Sequence, residues 1–437
     1  MGVEIRAAST QGRQCRCAER AQKVARLQRE TLQCAIRVHR SIILTPPRRV
    51  PAQGCPLRVL QLGEVVQTKF SLTGGSIPRA LLPLTGGLGQ CERPLVVRCG
   101  AFGDMVLVTT LIRALAERFG CDVDILTSGP WSEPLLLGQS GVGEILTVRS
   151  RKTPYWFGVD QQRVVRRLRS RGVGPTWYCD GNDAARPVLR RAGIPDDCIV
   201  DVKDHPLLPG EHATEQWGRL ARILPAAEVG IAKTVAEAFT TASGGCYLDV
   251  SDQQRADLER WLRGRELSSV PLIAIQVGNK RTMRRGLRRL AVNSKYWPNE
   301  RWAAVLRHVR ACHVKHAIVL LGTGPEYRLN QEIAALAGID RLYNAADDLP
   351  IPRLVALLAR AQGLITVDSG PAHAAAAVGC PQVVLFGKAS TTLYRPWGTD
   401  GADVKVLTAR VGGEPNILGI ETGDVLAAWD TLVLRTA

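Results

Sequence analysis

The sequence predicts an α/β protein made of two facing Rossmann-like domains with a cleft between them. Three observations carry this expectation. From residue 94 onward, apolar strands alternate with amphipathic helices, the pattern of a parallel sheet wound through crossover helices. Each half contains a strand–turn–helix unit with an acidic residue in its turn, at Asp104 and at Asp368. At 437 residues the chain is also too long for one core.

The first unit starts with an apolar strand over residues 94–98 and turns through Cys99-Gly100-Ala101-Phe102-Gly103-Asp104. Val108, Leu111, Ile112, Leu115 and Phe119 then recur with helical period, which predicts a helix over 105–119. Asp104 falls at the helix start, where the positive end of the dipole favours a carboxylate; an N-cap is the ordinary account of it. Strands are expected over 122–126, 144–148 and 176–179, and helices over 161–171, 186–192 and 210–224. The loosest stretch is 242–245, so the boundary is placed at Tyr247, giving domains 94–246 and 247–437. The second domain is expected to hold helices over 252–263, 300–311, 326–337 and 351–360. Its strands are expected over 272–277, 316–321, 363–367 and 382–386.

The second unit is Asp368-Ser369-Gly370-Pro371-Ala372-His373, followed by small residues through Gly379. A turn that ends a buried strand and opens a helix presents unpaired N–H groups and a positive dipole end, which suits a phosphate. Asp368 and Ser369 as plain helix caps are the competing account. Between residues 279 and 295 lie seven Lys and Arg, among them Arg281 beside Thr282, and Lys295 closes the loop ahead of Trp297-Pro298. Such a loop at the carboxyl end of a strand is an anion sink, although a solvated basic loop would read the same way. Gly322-Thr323-Gly324-Pro325-Glu326 lacks a third glycine at dinucleotide spacing; Glu326 is a candidate partner for ribose hydroxyls.

Composition narrows the function classes. With 45% hydrophobic and 22% charged residues the chain is globular. The Arg-studded first forty residues lack the apolar segment of a secretory signal, and the charge-free stretch 369–387 is broken by Pro371, Gly379 and Pro381, so no spanning helix is expected. The 12 cysteines include no C-x-x-C pair and no His/Cys cluster at metal-ligand spacing, which predicts reduced thiols and no metal site. Net charge is +17, and residues 1–94 hold 15 Lys and Arg against 5 Asp and Glu. Residues 1–93 are expected to form a basic, largely disordered extension suited to an anionic membrane surface. It lacks the aromatic interleaving of a nucleic-acid binder, so no nucleic-acid partner is expected.

These residues together resemble glycosyltransferase family 9, the ADP-heptose:lipopolysaccharide heptosyltransferases. Gly103-Asp104 with Val106, Leu107, Thr109, Leu111, Arg113 and Leu115 is similar to its N-terminal motif. Gly278, Lys295-Tyr296-Trp297-Pro298 and Arg301-Trp302 resemble the central motif. Residues 368–373, Gly379, Pro381, Leu385, Phe386-Gly387 and Trp397-Gly398 resemble the C-terminal one. The resemblance covers residues 94–429 and implies the GT-B fold and metal-independent, cofactor-free, inverting sugar transfer. It further implies Asp104 as general base, Lys295 as the cation on the donor diphosphate, Glu326 near the donor ribose, and Asp368, Ser369, Gly370 and His373 as a donor-binding wall. The implied donor is ADP-heptose. The implied acceptor is an anionic lipid-A-linked saccharide, met by a cytoplasmic protein peripheral to the inner membrane. The sequence departs from the family in its long, Arg-rich 278–295 span and in Ser369, where threonine is common. A nucleotide-sugar epimerase of the same fold and a basic nucleic-acid-binding protein are the alternatives.

Overall fold

The computed structural model describes residues 93–150, 154–228, 244–279, 294–398 and 401–436, with the backbone alone at 283–284 and 287–288. The expected extension over residues 1–93 therefore lies outside the described residues except for Arg93, and Arg281 and Thr282 lie outside them too.

Two parallel sheets organise the chain. The first contains β1 (Leu95–Arg98), β2 (Val123–Thr127), β3 (Val142–Thr147), β4 (Thr176–Tyr178) and β5 (Ile199–Asp201), in the order β3-β2-β1-β4-β5. In the second half, β6 (Leu272–Gln276) precedes a small antiparallel hairpin, β7 (Met283–Arg284) with β8 (Leu287–Arg288). The second sheet is completed by β9 (Ala317–Leu320), β10 (Leu342–Asn344), β11 (Gly363–Val367), β12 (Gln382–Leu385) and β13 (Val404–Leu407), in the order β10-β9-β6-β11-β12-β13. The central strands are buried on both faces, which is why they read as continuous apolar runs rather than alternating ones. Strand order reverses direction at β1 and at β6, so each sheet has the switch point beside which α/β sheets hold ligands.

Predicted and observed elements agree closely where the pattern is long. Asp252–Arg263, Ile351–Arg360 and Gly363–Val367 match residue for residue. The helix expected over 105–119 is divided into Phe102–Leu107 and Thr109–Phe119. At the break the Thr109 hydroxyl donates back to the Val106 carbonyl at 2.7 Å and accepts from the Tyr247 N–H at 3.2 Å. Periodicity cannot register a side chain competing for backbone bonds. The helix expected over 210–224 shortens to Ala213–Leu220, capped by His212. Strands β5, β10 and β13 and the helix Thr422–Asp430 escaped the sequence reading. β5 and β10 have three residues each and β13 is only half-buried, so none carries a clear apolar signal.

The chain crosses between halves at residues 246–249 in a fully bonded path. Cys246 donates its N–H to the Trp397 carbonyl at 2.9 Å and Leu248 to the Ala377 carbonyl at 3.1 Å, both in the second half. Asp249 donates to Gln139 Oε1 at 2.6 Å in the first. A crossing held from both sides fixes how the two switch points face each other.

Candidate functional site

In the first half, β1 delivers the chain into the turn that carries Asp104. The Asp104 carboxylate folds back so that Oδ2 accepts the Ala101 N–H at 2.7 Å, and Oδ1 pairs with the Arg98 guanidinium at 3.1 Å. Arg98 is itself held by the Cys179 carbonyl at 2.6 Å and lies over the Trp217 ring at 5.6 Å. Asp180, two residues beyond β4, accepts the Cys99 N–H at 2.8 Å and steadies the same turn. The N-cap account of Asp104 is thus partly right: it occupies the third helical position and bonds the turn, yet its side chain stays one-third exposed.

In the second half, β11 ends at Val367, Asp368 and Ser369 form the turn, and the helix Gly370–Ala377 begins. Ser369 does not cap this helix; its hydroxyl meets Thr366 Oγ1 at 3.1 Å. Lys295 Nζ lies 2.7 Å from Asp368 Oδ2 and 2.8 Å from the Asp368 carbonyl. Lys295 is carried there because Ser294 passes directly over Gly387, where a Cβ would stand 1.9 Å from the Ser294 carbonyl. This ammonium–carboxylate pair was not legible in the sequence, where Lys295 and Asp368 are far apart.

Glycine lets the two turns meet. A Cβ on Gly370 would lie 2.3 Å from Phe102 Cδ1 and 3.3 Å from the Gly103 nitrogen, and one on Gly103 would lie 2.9 Å from His373 Cδ2. The two acidic turns therefore touch backbone to backbone. His373 is buried at this junction, and its Nδ1 has no hydrogen-bond partner. Burial pushes its pKa down to about 4, and Asp368, His212, Lys295 and Asp104 all lie close enough to act on it electrostatically. The imidazole is neutral at pH 7.

That shift predicts a pH dependence. Unfolded, the ring takes a proton at its ordinary value of 6.5, whereas folded it refuses one until about 4. The unfolded state thus binds the extra proton in between, and stability falls as pH drops from 6.5 to about 4. In His373→Gln, urea midpoints should fall less over this window than in the parent. Parallel curves would assign the acid loss to other groups.

Glu326 departs from the expectation of an available ribose partner. It is buried, its Oε2 accepts the Thr323 N–H at 2.9 Å and hydroxyl at 2.8 Å, and its Oε1 receives Gln276 Nε2 at 3.3 Å. Burial raises its pKa despite those Thr323 bonds. Gly278 lies against its Oε1, with a Cβ position at 2.6 Å, so Glu326 shapes the end of β6. The expectation of no His/Cys cluster also needs correction: the fold brings His308, Cys312 and Asp430 together, their ligand atoms within 4.8 Å of one another. The i, i+4 pair is visible in sequence, but Asp430 arrives only through the packing of the last helix. Among the described residues no helix is long and apolar enough to cross a membrane.

Residues 287–409 match the family model for glycosyltransferase family 9 (heptosyltransferase). The sequence resemblance and this match agree. That segment of the chain is similar to glycosyltransferase family 9.

The chain is 33% identical over 150 residues to lipopolysaccharide heptosyltransferase 3 of Escherichia coli, a stretch covering 32% of this chain and 43% of that enzyme. It is 25% identical over 154 residues to lipopolysaccharide heptosyltransferase 2 of E. coli K12, covering 32% and 44%. The chain thus spans less than half the length of the curated relatives it matches. Solved structures extend the likeness in fold. A family 9 glycosyl transferase from Veillonella parvula superposes with a TM-score of 0.62 at 17% identity, over 78% of this chain and 97% of that one. The ADP-heptose lipopolysaccharide heptosyltransferase II of E. coli does so with 0.59 at 21%, over 78% and 98%. The fold is accordingly the expected GT-B arrangement of two parallel α/β sheets.

Proposed function

We propose that this chain is an inverting glycosyltransferase that moves a heptose, or a closely related sugar, from ADP-heptose to an anionic, lipid-A-linked saccharide of the lipopolysaccharide inner core. The observation that carries the reading is the Gly103–Gly370 approach, which sets Asp104 of one half beside the Lys295–Asp368 pair of the other. The names of the similar E. coli enzymes support the sugar and the pathway.

Inverting transfer needs a base on one side of the anomeric carbon and cations on the other. Asp104, steadied by Arg98 and still part-exposed, accepts the acceptor hydroxyl's proton as that oxygen bonds to C1. The bond from C1 to the diphosphate breaks, and charge grows on the leaving phosphate oxygen. Lys295 and the opening N–H groups of the helix Gly370–Ala377 stabilise that charge without reorganising. The pair with Asp368 keeps the ammonium aimed before the donor arrives. The neutral His373 beneath the junction adds no charge that would compete for the phosphate. The protein acts at the cytoplasmic face of the inner membrane, where its acceptor lies.

Calorimetry against a panel of nucleotide sugars tests the reading, with tightest binding expected for ADP-heptose. Lys295→Ala should weaken donor binding and lower turnover together; an unchanged donor affinity would move the phosphate role to another cation. Incubation with the nucleotide sugar alone should leave it unaltered, whereas an isomerised sugar would mean an epimerase.

A further inference from the structure

The largest exposed aromatic groups of the described residues sit side by side. Trp156 is 82% exposed and Phe157 80%, and Val159 follows at 70%. Solvated aromatic pairs of this size mark a contact surface. The turn that carries them, Tyr155–Phe157, is built rather than loose. Phe157 donates its N–H to the Pro154 carbonyl at 3.0 Å, and Gln162 Nε2 reaches back to the carbonyls of Tyr155 and Trp156, each at 3.0 Å. Tyr155 packs beneath Trp156 and under the Arg191 guanidinium, 4.7 Å from its ring.

Around these tips the exposed charges are mostly positive. Arg149, Arg163, Arg166 and Arg191 are all exposed; the acids on this side are Asp160, bonded to Arg163 at 3.2 Å, and Glu144, paired with Arg167 at 2.7 Å. Val159, Arg163, Arg166 and Ser170 form one exposed stripe of the helix Val159–Arg171, by its 3.6-residue period. Aromatic tips bordered by arginines match the headgroup layer of an anionic bilayer, where tryptophan settles at the interface and guanidinium groups meet phosphates. The position is also apt. The turn comes after β3 and Asp104 comes after β1, two parallel strands separated by β2 in the same sheet, so both follow the carboxyl ends of its strands.

We propose that the Tyr155–Phe157 turn, together with the arginine stripe of the helix Val159–Arg171, is the surface by which this protein docks on an anionic lipid bilayer, with its acceptor side turned toward the lipid. The inference deepens the transfer reading and rests on it for the direction in which the acceptor enters.

The test is co-sedimentation of the full chain with phosphatidylethanolamine–phosphatidylglycerol vesicles. Replacing Trp156→Ser together with Phe157→Ser should reduce apparent vesicle affinity at least about tenfold. Arg166→Gln should reduce it about fivefold, and less at high salt. Thermal unfolding midpoints should match the parent, because the altered side chains are solvated. Parent and variants all carry residues 1–92, so a difference between them reports the turn and its helix. Equal sedimentation of the parent and the double variant overturns the proposal, as does equal binding of the parent to phosphatidylcholine vesicles. Sedimentation needs no catalysis: docking without any sugar transfer would overturn the proposed reaction and leave the docking surface standing.

Discussion

Asp104→Asn is expected to lower turnover by about 10²–10⁴-fold, the usual contribution of a positioned general base, while leaving donor affinity unchanged. The substitution isolates proton transfer from structure. Asparagine has the same shape, and its amide oxygen can keep the bond that Asp104 Oδ2 accepts from the Ala101 N–H. Arg98 loses one partner but retains the Cys179 carbonyl and the neighbouring Asp180. The turn should therefore hold and the unfolding midpoint move little. Single-turnover rates with saturating donor, read beside calorimetric donor affinity, check the prediction. A variant that turns over at the parental rate would remove Asp104 from the reaction, and one that loses donor binding as well would recast it as a structural residue of the turn.

Gly387→Ala is expected to damage both stability and turnover, for a reason of backbone proximity. The added methyl would stand 1.9 Å from the Ser294 carbonyl oxygen, and a backbone atom cannot rotate aside. Either the end of β12 or the segment carrying Lys295 must move by more than 1 Å. Overpacking of this kind costs about 1–3 kcal/mol. A displacement of about 1 Å at a group that stabilises the leaving phosphate costs about 10²-fold in turnover. Gly218→Ala is the matching control, since its Cβ would meet nothing within 4 Å. Urea midpoints and kcat for both variants check the claim. If Gly387→Ala kept full activity with a lowered midpoint, the Ser294 contact would support the fold without positioning Lys295.

The legible and illegible parts of this protein differ in sequence range. Helices such as Asp252–Arg263 and strands such as Gly363–Val367 were legible because their apolar periodicity lies within a dozen residues. Asp104, Lys295 and the 368–373 turn stood out because each occupies a strand end or a helix start, where local chemistry limits the choice of residue. Glu326 shows where that reasoning falls short. A carboxylate at a helix start looked available, but the approach of Gly278 and the bonds from Thr323 enclose it. The break at Val108 was equally hidden, because it depends on a hydrogen bond from Tyr247, far along the chain.

The amino-acid sequence by itself determined the α/β class, the two strand–turn–helix units, the basic loop and the resemblance to family 9, all properties written in short windows of residues. Only the tertiary structure decided that Gly103 lies on Gly370, that Lys295 is paired with Asp368, that His373 is sealed between the two halves, and that Trp156 and Phe157 project into solvent. The physical reason is that such contacts depend on how closely two distant stretches of backbone can approach. A glycine permits that approach without announcing its partner, and burial, which sets the charge on a histidine or a glutamate, is a property of everything packed around it.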